Sequence, residues 1–425
     1  LTSIKEKNKG LNNNWKVNIL EENLKKKLNY KIKINKTIIN SKEIKKNDIF
    51  FGIRGKKLNG SKFANEAIKN GASLAIVDNL YGKKNIKKIK VSNVLNFFLK
   101  SSNKVRISSD IMAIAITGSA GKTSLKELLG QSLSKIDKVT YSQKSFNNKY
   151  GVPISLFNIN KNHKFGVFEI GMDKKGEIHN LSKIVKPEIA IITNISEAHL
   201  KNFKSVKDIA KAKSEIIDNI VENGNIILNK DDKFFNFLYK KAKKRKLNVR
   251  SFSCFKKADT FLLKKKKFKN YYKLKVAVDG SIFYFNTKNI TNNYISNILA
   301  CISVLSILNL DLNIVKSKFN DFKIPDGRGN IEVINKFKKF FNLIDESYNA
   351  NPLSMKSAIN NVNNHKKQKN AKKIIFLGDM LELGKKSKKF HRELSRVINK
   401  SNIDKVFVYG KDIKLTFNFL SKNKK

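Results

Sequence analysis

The stretch AIAITGSAGKTSLKELL, Ala113–Leu129, leaves this chain few folds to choose from. An apolar, β-favouring run from Ile111 to Thr117 stops at Gly118. Lys122-Thr123 then opens a segment whose Leu125, Leu128, Leu129, Leu133 and Ile136 recur on one helical face. A strand, a tight glycine loop and a helix in direct succession call for a sheet with a helix packed on it. The order also has a chemical meaning. Glycines let backbone N–H groups wrap a polyphosphate, and the helix N-terminus adds favourable partial charge. On this reading Thr117, Gly118, Ser119, Ala120, Gly121, Lys122 and Thr123 cradle a polyphosphate. Lys122 reaches the β- and γ-phosphates and Thr123 holds Mg²⁺. A chance glycine-rich turn does not explain strand, Gly-Lys-Thr and helix all in register. The usual phosphate loop has a Gly five residues before its second Gly. Here Ile116 stands there, so the loop is the shorter TGxxGKT.

Further apolar strands alternate with amphipathic helices beyond this point. Val167–Ile170, Ile189–Thr193 and Ile226–Leu228 are strand candidates. Such alternation predicts an α/β protein with a parallel sheet flanked by helices. Lys273–Phe285 alternates apolar and polar residues around Asp279-Gly280, a two-residue hairpin turn, and Tyr294–Leu308 reads as a helix. In the amino-terminal part, Asn47–Gly55 reads as a strand ending in a turn. Lys62–Asp78 reads as a helix, a stop at Gly71 and a strand. The segment IPDGRGN, Ile324–Asn330, holds one of only four prolines and reads as a linker, after which strand, loop and helix alternate again. The expected domains are 1–107, 108–325 and 326–425.

The chain carries 88 Lys+Arg against 34 Asp+Glu, a net charge of +54, which favours anionic partners. Only seven of the cations are Arg, the residue that forks onto phosphates and guanine edges. No nucleic-acid module is recognisable, which argues against a nucleic-acid partner. Lys is instead spread along the chain beside abundant Asn and Ile, and reads as solvated faces. The densest run, Lys240–Arg250, reads as a solvated helix face, with a local anion patch as the alternative. With 29 Phe and 11 Tyr the chain can bury a core, which excludes a disordered basic tail. The apolar runs are too short to cross a bilayer, so no membrane insertion is expected. The amino end LTSIKEKNKG lacks a signal-peptide core, so the expected location is cytoplasmic. Two cysteines, Cys254 and Cys301, make no disulfide framework.

The short loop resembles that of the Mur ligase family, the ATP-dependent amino-acid and peptide ligases of cell-wall synthesis and their folate-polyglutamate relatives. Other segments are similar to the same family. SFNNKYGVPISLF, Ser145–Phe157, resembles its Asn-Asn…Gly-Val-Pro segment, and FEIGMDKKGEI, Phe168–Ile178, its Glu-x-Gly-Met…Gly-Glu-Ile motif. Glu169 closes a strand, where a carboxylate can complete the shell of an Mg²⁺ held by Thr123 and phosphate oxygens. In ITNISEAHLKNF, Asn194 and His199 match the family's Thr-Asn…His-Leu motif, whose His resembles a ligand of a second Mg²⁺. AKAKSEII places Lys213 where relatives carry a carbamate, which turns a cation into a carboxylate-like ligand. ILNKDD, Ile227–Asp232, resembles a turn that closes a sheet strand. Asn297 matches the Asn of the segment near the adenine, while Asn293 stands where the family usually has His.

Toward the carboxyl end, Asp326-Gly327-Arg328-Gly329 matches the Gly-Arg motif whose Arg approaches the ATP phosphates. IDESYNANPLSM, Ile344–Met355, is close to the signature of the member that adds D-alanyl-D-alanine, and FLGDMLELG followed by His391 agrees with it. An Asx-type turn is the plain alternative for this Asn-rich stretch. The amino-terminal segment from Ile39 resembles the family's uridine-binding segment, with Asn40-Ser41-Lys42 in place of Asp-Ser-Arg.

The resemblance implies three α/β domains: a small uridine-nucleotide domain, a central phosphate-loop ATPase domain with a parallel sheet, and a Rossmann-like third domain. The third has no counterpart of the family's late Lys-Gly-Ser segment, so it is read as incomplete and the sequence, which begins at Leu1, as a fragment. The implied activity joins D-alanyl-D-alanine to UDP-N-acetylmuramoyl-tripeptide through an acyl phosphate, using ATP and two Mg²⁺, in a monomer. Lys122, His199 and Lys213 are the implied catalytic residues, with Thr123, Glu169, His199 and Lys213 at metal. Asn297, Arg328, Asp345 and Tyr348 join the loop at ATP. Ser41, Lys42, Asn147, Asn148, Asn194, Asn349 and Asn351 face the substrates. The third domain closes about a hinge near Pro325–Gly329. The alternatives are a sister ligase adding the third amino acid and, from another class, a nucleic-acid-stimulated NTPase.

Overall fold

The structure is a computed structural model. It describes residues 14–28, 32–82, 85–198, 200–269, 271–288, 291–316, 319–336, 339–365 and 371–425. In chain order the amino-terminal part holds helix α1 (Asn14–Leu24), strands β1 (Thr37–Ile38) and β2 (Ile49–Phe51), helix α2 (Ala64–Lys69), strands β3 (Leu74–Val77) and β4 (Lys88–Lys90), and helix α3 (Val94–Ile107). Strand β5 (Met112–Thr117) leads into α4 (Lys122–Leu133). Then come β6 (Val139–Tyr141), α5 (Gly151–Phe157), β7 (Phe165–Glu169), α6 (Glu177–Val185), β8 (Ile189–Ile192) and α7 (Val206–Lys213). Next are β9 (Asn225–Asn229), α8 (Phe235–Lys244), β10 (Asn248–Ser253), β11 (Thr260–Lys267), β12 (Tyr272–Val278), β13 (Ser281–Thr287) and α9 (Asn292–Ile307). The carboxyl-terminal part holds β14 (Asn330–Lys336), β15 (Lys339–Asp345), α10 (Pro352–Asn364), β16 (Ile374–Gly378), α11 (Ser387–Asn399), β17 (Lys405–Tyr409) and α12 (Lys414–Asn418).

The chain packs as two units. The first comprises residues 1–114, 136–170 and 180–186. Its β1 to β4 form a parallel sheet in that order. Phe50, Ala64, Ala67, Ala75 and Val77 bury one side of it against α2. On the other, Phe51 packs on Phe98 of α3, with ring centroids 4.3 Å apart, and edge-on against Phe157 at the end of α5. These rings join residues far apart in sequence, and burying each stabilises by roughly 1.5–3 kcal/mol. Arg106 closes α3 by donating to the carbonyls of Val185 and Lys186. In the same unit β7 lies between β6 and the first half of β5.

The second unit comprises residues 115–135, 171–179 and 187–425. Its main sheet runs β13-β12-β11-β10-β9-β8 and ends on the second half of β5. The strands from β8 to β11 are parallel neighbours, whereas β11, β12 and β13 are an antiparallel extension. Leu125, Leu128, Leu129 and Leu133 of α4 are fully buried. The predicted turn forms: Asp279 and Gly280 take φ values of 50° and 86°, the pair of positive angles a two-residue hairpin needs. Two small sheets follow, the β14–β15 hairpin and the parallel pair β16–β17. Among the described residues no helix is long and apolar enough to cross a membrane.

Three local readings change. The loop helix ends at Leu133, so Ile136 lies beyond it, half-buried. The basic run Lys240–Arg250 divides between two elements: α8 stops at Lys244, Lys246 turns through a φ of 54°, Leu247 is buried and Asn248 begins β10. Strand β11, with its four consecutive lysines, gave no strand signal. It forms because β12 completes its ladder, although this sets Lys264 opposite Lys275 and Lys266 opposite Lys273. Facing like charges cost stability, so the backbone pairing and not the side chains decides this strand.

Candidate active site

The phosphate loop is braced by the turn that follows β8. Thr193 continues that strand, its N–H donating to the Thr117 carbonyl at 3.0 Å, and its hydroxyl donates to the Ala120 carbonyl at 2.7 Å. Asn194 grips the same loop residue from both ends. Its Oδ1 accepts from the Ala120 N–H at 2.9 Å and its Nδ2 donates to the Ala120 carbonyl at 3.1 Å. Ser119 donates its N–H to the Asn194 carbonyl, and its hydroxyl exchanges hydrogen bonds with the Ser196 backbone at 3.1 and 2.9 Å. Gly118 and Gly121 take φ values of 151° and 82°, backbone angles that glycine adopts and other residues rarely do. Gly121 caps α4, whose first turn aims its N–H groups at the loop. Asn297, buried on α9, sets its Nδ2 3.4 Å from the Gly121 carbonyl.

Two lysines meet on one carbonyl. Lys122 Nζ donates to the Gly118 oxygen at 2.9 Å, and Lys213 Nζ, at the end of α7, donates to the same oxygen at 3.0 Å. Burial drives the Lys213 ammonium well below the ordinary lysine range, and the charge of Lys122 pushes it further down. Burial thus favours the neutral amine form of this side chain. The segment after it is anchored firmly. Glu215 accepts from the N–H groups of Gly176 at 2.8 Å and His179 at 3.1 Å, and Lys241 donates to the Ser214 carbonyl at 2.9 Å. Behind the loop, Asp232 accepts from Ile195 N–H at 2.6 Å and Phe234 N–H at 2.8 Å, with its carboxyl raised by burial against these bonds.

Glu169 is buried at the end of β7 and accepts from Asn147 Nδ2 at 2.7 Å, while its own N–H donates to the Ser142 hydroxyl. Asn148 next door is spent on local structure: its Oδ1 accepts from the N–H groups of Tyr150 and Gly151, opening α5. Ser41 donates to Glu66 at 2.8 Å, and Lys42 beside it is exposed. His199 lies outside the described residues.

In the carboxyl-terminal part the Arg328 guanidinium stacks on the Tyr348 ring, 4.0 Å from its centroid. Asp345, at the end of β15, is held below the usual carboxylate range by hydrogen bonds from Ser347. Asn349 turns back onto the N–H of Ala350 at 2.8 Å. Asn351 forms a capping box with Ser354, with Pro352 in the first turn of α10. The Asn-rich stretch is therefore a helix start. Asp379 accepts from the N–H groups of Lys411, Asp412 and Ile413, and buried His391 accepts from the Met380 N–H at 2.9 Å.

The fit to ATP and Mg²⁺ is chemical. The loop offers a glycine cradle, a lysine and the hydroxyl of Thr123. Thr117 Oγ1, fully buried at its mouth, has no hydrogen-bond partner among the described residues. Hydroxyl and carboxylate oxygens suit Mg²⁺, which is usually held by one or two carboxylates together with phosphate oxygens and water. No cluster of three or more His, Cys, Asp or Glu forms a metal cage among the described residues. Thr193 is the Thr of the Thr-Asn motif but is not singled out by it, and Ser196 and Ser142 carry no sequence pattern of their own. For the two serines, position just past a strand end is the signal that could have found them.

A parallel sheet, a braced phosphate loop and a buried lysine over it define an α/β nucleotide-binding protein of the phosphate-loop class. The chain belongs to the Mur ligase family: the family's catalytic domain matches residues 33–116, its middle domain 116–305 and its glutamate ligase domain 331–418. A UDP-N-acetylmuramoyl-tripeptide--D-alanyl-D-alanine ligase of Buchnera aphidicola subsp. Baizongia pistaciae is 33% identical over 385 residues, 90% of this chain and 81% of that protein. A crystal structure of MurF from Acinetobacter baumannii superposes with a TM-score of 0.84 at 26% identity, covering 96% of this chain and 88% of that one. MurF ligase from Thermotoga maritima in complex with ADP gives 0.77 at 26% identity, with 92% and 87% covered.

Proposed function

We propose that this chain joins D-alanyl-D-alanine to UDP-N-acetylmuramoyl-tripeptide, converting ATP to ADP and phosphate. What carries the reading is the 33% identity to a ligase of that name over 81% of its length, together with a phosphate loop braced for a triphosphate. The tripeptide's terminal carboxylate attacks the γ-phosphorus and ADP leaves. The amine of D-alanyl-D-alanine then attacks the acyl carbon of the resulting acyl phosphate, phosphate leaves with the bonding pair, and the amine proton passes to solvent.

Each partner in the first step is anionic, so the protein's task is positioning and charge compensation. Lys122 leaves the Gly118 carbonyl for the β- and γ-phosphates. Mg²⁺, when bound, neutralises phosphate and carboxylate charge. Thr123, Glu169, His199 and a carbamate on Lys213 are its proposed ligands, in two sites. The burial that favours the neutral amine of Lys213 supports the carbamate, because only the neutral amine adds CO₂. Arg328, Asp345 and Tyr348 serve ATP from the third domain, and Ser41, Lys42, Asn147 and Asn349 serve the substrates. Asn148, Asn194 and Asn351 then act through the local structure they hold. The proposed domains are 1–107, 108–325 and 326–425, in a monomer working in the cytoplasm.

Purified protein should release phosphate only when UDP-tripeptide and D-alanyl-D-alanine are both present. Release driven by a single amino acid would move the chain to the sister ligase, and release driven by DNA alone would remove it from the ligases. Lys122→Ala should abolish release in a protein that stays folded. Retained turnover would sink the phosphate-loop assignment.

A further inference from the structure

We propose that Arg54 grips the diphosphate of the nucleotide-linked substrate, supplying the guanidinium fork that Lys42 cannot. The proposal rests on the ligase reading above and adds a residue to it.

The first observation is topological. Strands β1, β2 and β3 are parallel and adjacent. Ser41-Lys42 follows the carboxyl end of β1, Arg54 that of β2, and Asp78 that of β3. In open α/β sheets ligands bind beyond the carboxyl ends of the strands. The three segments thus share the edge where a nucleotide is to be expected.

The second observation is how Arg54 is held. Its Nε donates to Asp78 Oδ2 at 3.2 Å. Asp78 is itself fixed: its Oδ1 accepts from the Ser61 hydroxyl at 2.7 Å and from Asn59 Nδ2 at 3.1 Å, and its N–H donates back to the Ser61 hydroxyl at 3.0 Å. The guanidinium is therefore oriented through Nε alone. Its two terminal amino groups have no partner among the described residues, and the side chain is 68% exposed. Those two groups are the pair that forks onto a phosphate. An ion pair this exposed contributes little to stability, so folding does not explain the arrangement.

The third observation is rigidity. A Cβ on Gly60 would lie 2.5 Å from the Ile53 carbonyl oxygen, and one on Gly52 would lie 2.9 Å from the Ser61 backbone. Gly55 N–H donates to the Leu58 carbonyl at 2.8 Å, and Arg54 and Asn59 form an antiparallel bridge. A loop closed this tightly loses little freedom when a ligand arrives. Residues 52–63, GIRGKKLNGSKF, contain no carboxylate, and Lys56 and Lys57 are exposed, so the local field favours an anion.

Calorimetric titration of the full chain with UDP and with uridine tests this. Arg54→Ala should weaken UDP about tenfold to a hundredfold and leave uridine unchanged, because only the phosphate contacts are lost. Arg54→Lys, which keeps the charge and a partner for Asp78, should lose part of that. Adding Lys42→Arg to Arg54→Ala should recover part of it. The Michaelis constant for ATP should stay as in the wild type. Equal UDP affinity in Arg54→Ala and wild type overturns the proposal, and so does an equal loss for UDP and uridine. Wild-type protein that binds neither UDP nor uridine would instead overturn the ligase reading itself.

Discussion

Gly118 and Thr193 stand so close that a Cβ on the glycine would lie 1.9 Å from the threonine Oγ1. That hydroxyl is already spent on the Ala120 carbonyl, so it cannot turn away without releasing the loop. Gly118→Ala should therefore displace the loop and lower phosphate release at least a hundredfold. The overpacking should cost about 1–3 kcal/mol in thermal unfolding. Near wild-type turnover would show that the loop has slack.

Asn194 tests which substrate the turn after β8 serves. Both ends of its amide bind Ala120, so Asn194→Ala removes two hydrogen bonds and should cost about 1–3 kcal/mol. Its kinetic effect should fall on the Michaelis constant for ATP. A rise confined to that of the UDP-tripeptide would return Asn194 to the substrate.

Lys213→Ala should lose turnover, and added short carboxylates should restore part of it by standing in for the carbamate. With ¹³C-bicarbonate the wild type should show a carbamate carbon signal that the variant lacks. An active Lys213→Ala would remove this ligand from the mechanism.

Lys16 gives a pH prediction independent of catalysis. It is buried on α1, 3.2 Å from Asn160 Oδ1, and burial lowers its pKa to about 7 from an ordinary 10.5. Its neighbours are the Trp15 and Phe157 rings, with His163 also under its charge. Between these two pKa values the unfolded chain binds the proton that the folded chain has released, so this residue makes stability rise with pH across that window. Lys16→Met should flatten the rise in denaturant midpoint between pH 7 and about 10. An unchanged slope would assign the rise to the other lysines.

Much of this was legible because some residues carry their own constraint. The glycines and Lys-Thr of the loop state their geometry locally, and the leucine spacing of α4 states which face is buried. The Asp279-Gly280 turn was readable for the same reason. The ends of elements were less so. Ile136 continues the helical spacing but lies past the last turn of α4, and Lys240–Arg250 looks uniform although Leu247 must enter the core.

By itself the sequence determined the α/β alternation, the phosphate loop and the family, since each rests on residue types at short, fixed spacing. Only the tertiary structure decided what those residues do to one another. It set Lys213 beside Lys122 on a single carbonyl, turned Asn194 into a clamp on Ala120, and braced Arg54 through Asp78. Each pairing joins segments that only sheet and loop packing brings together. In a chain with so many lysines and asparagines, burial and partners distinguish the few that work from the many that are merely solvated.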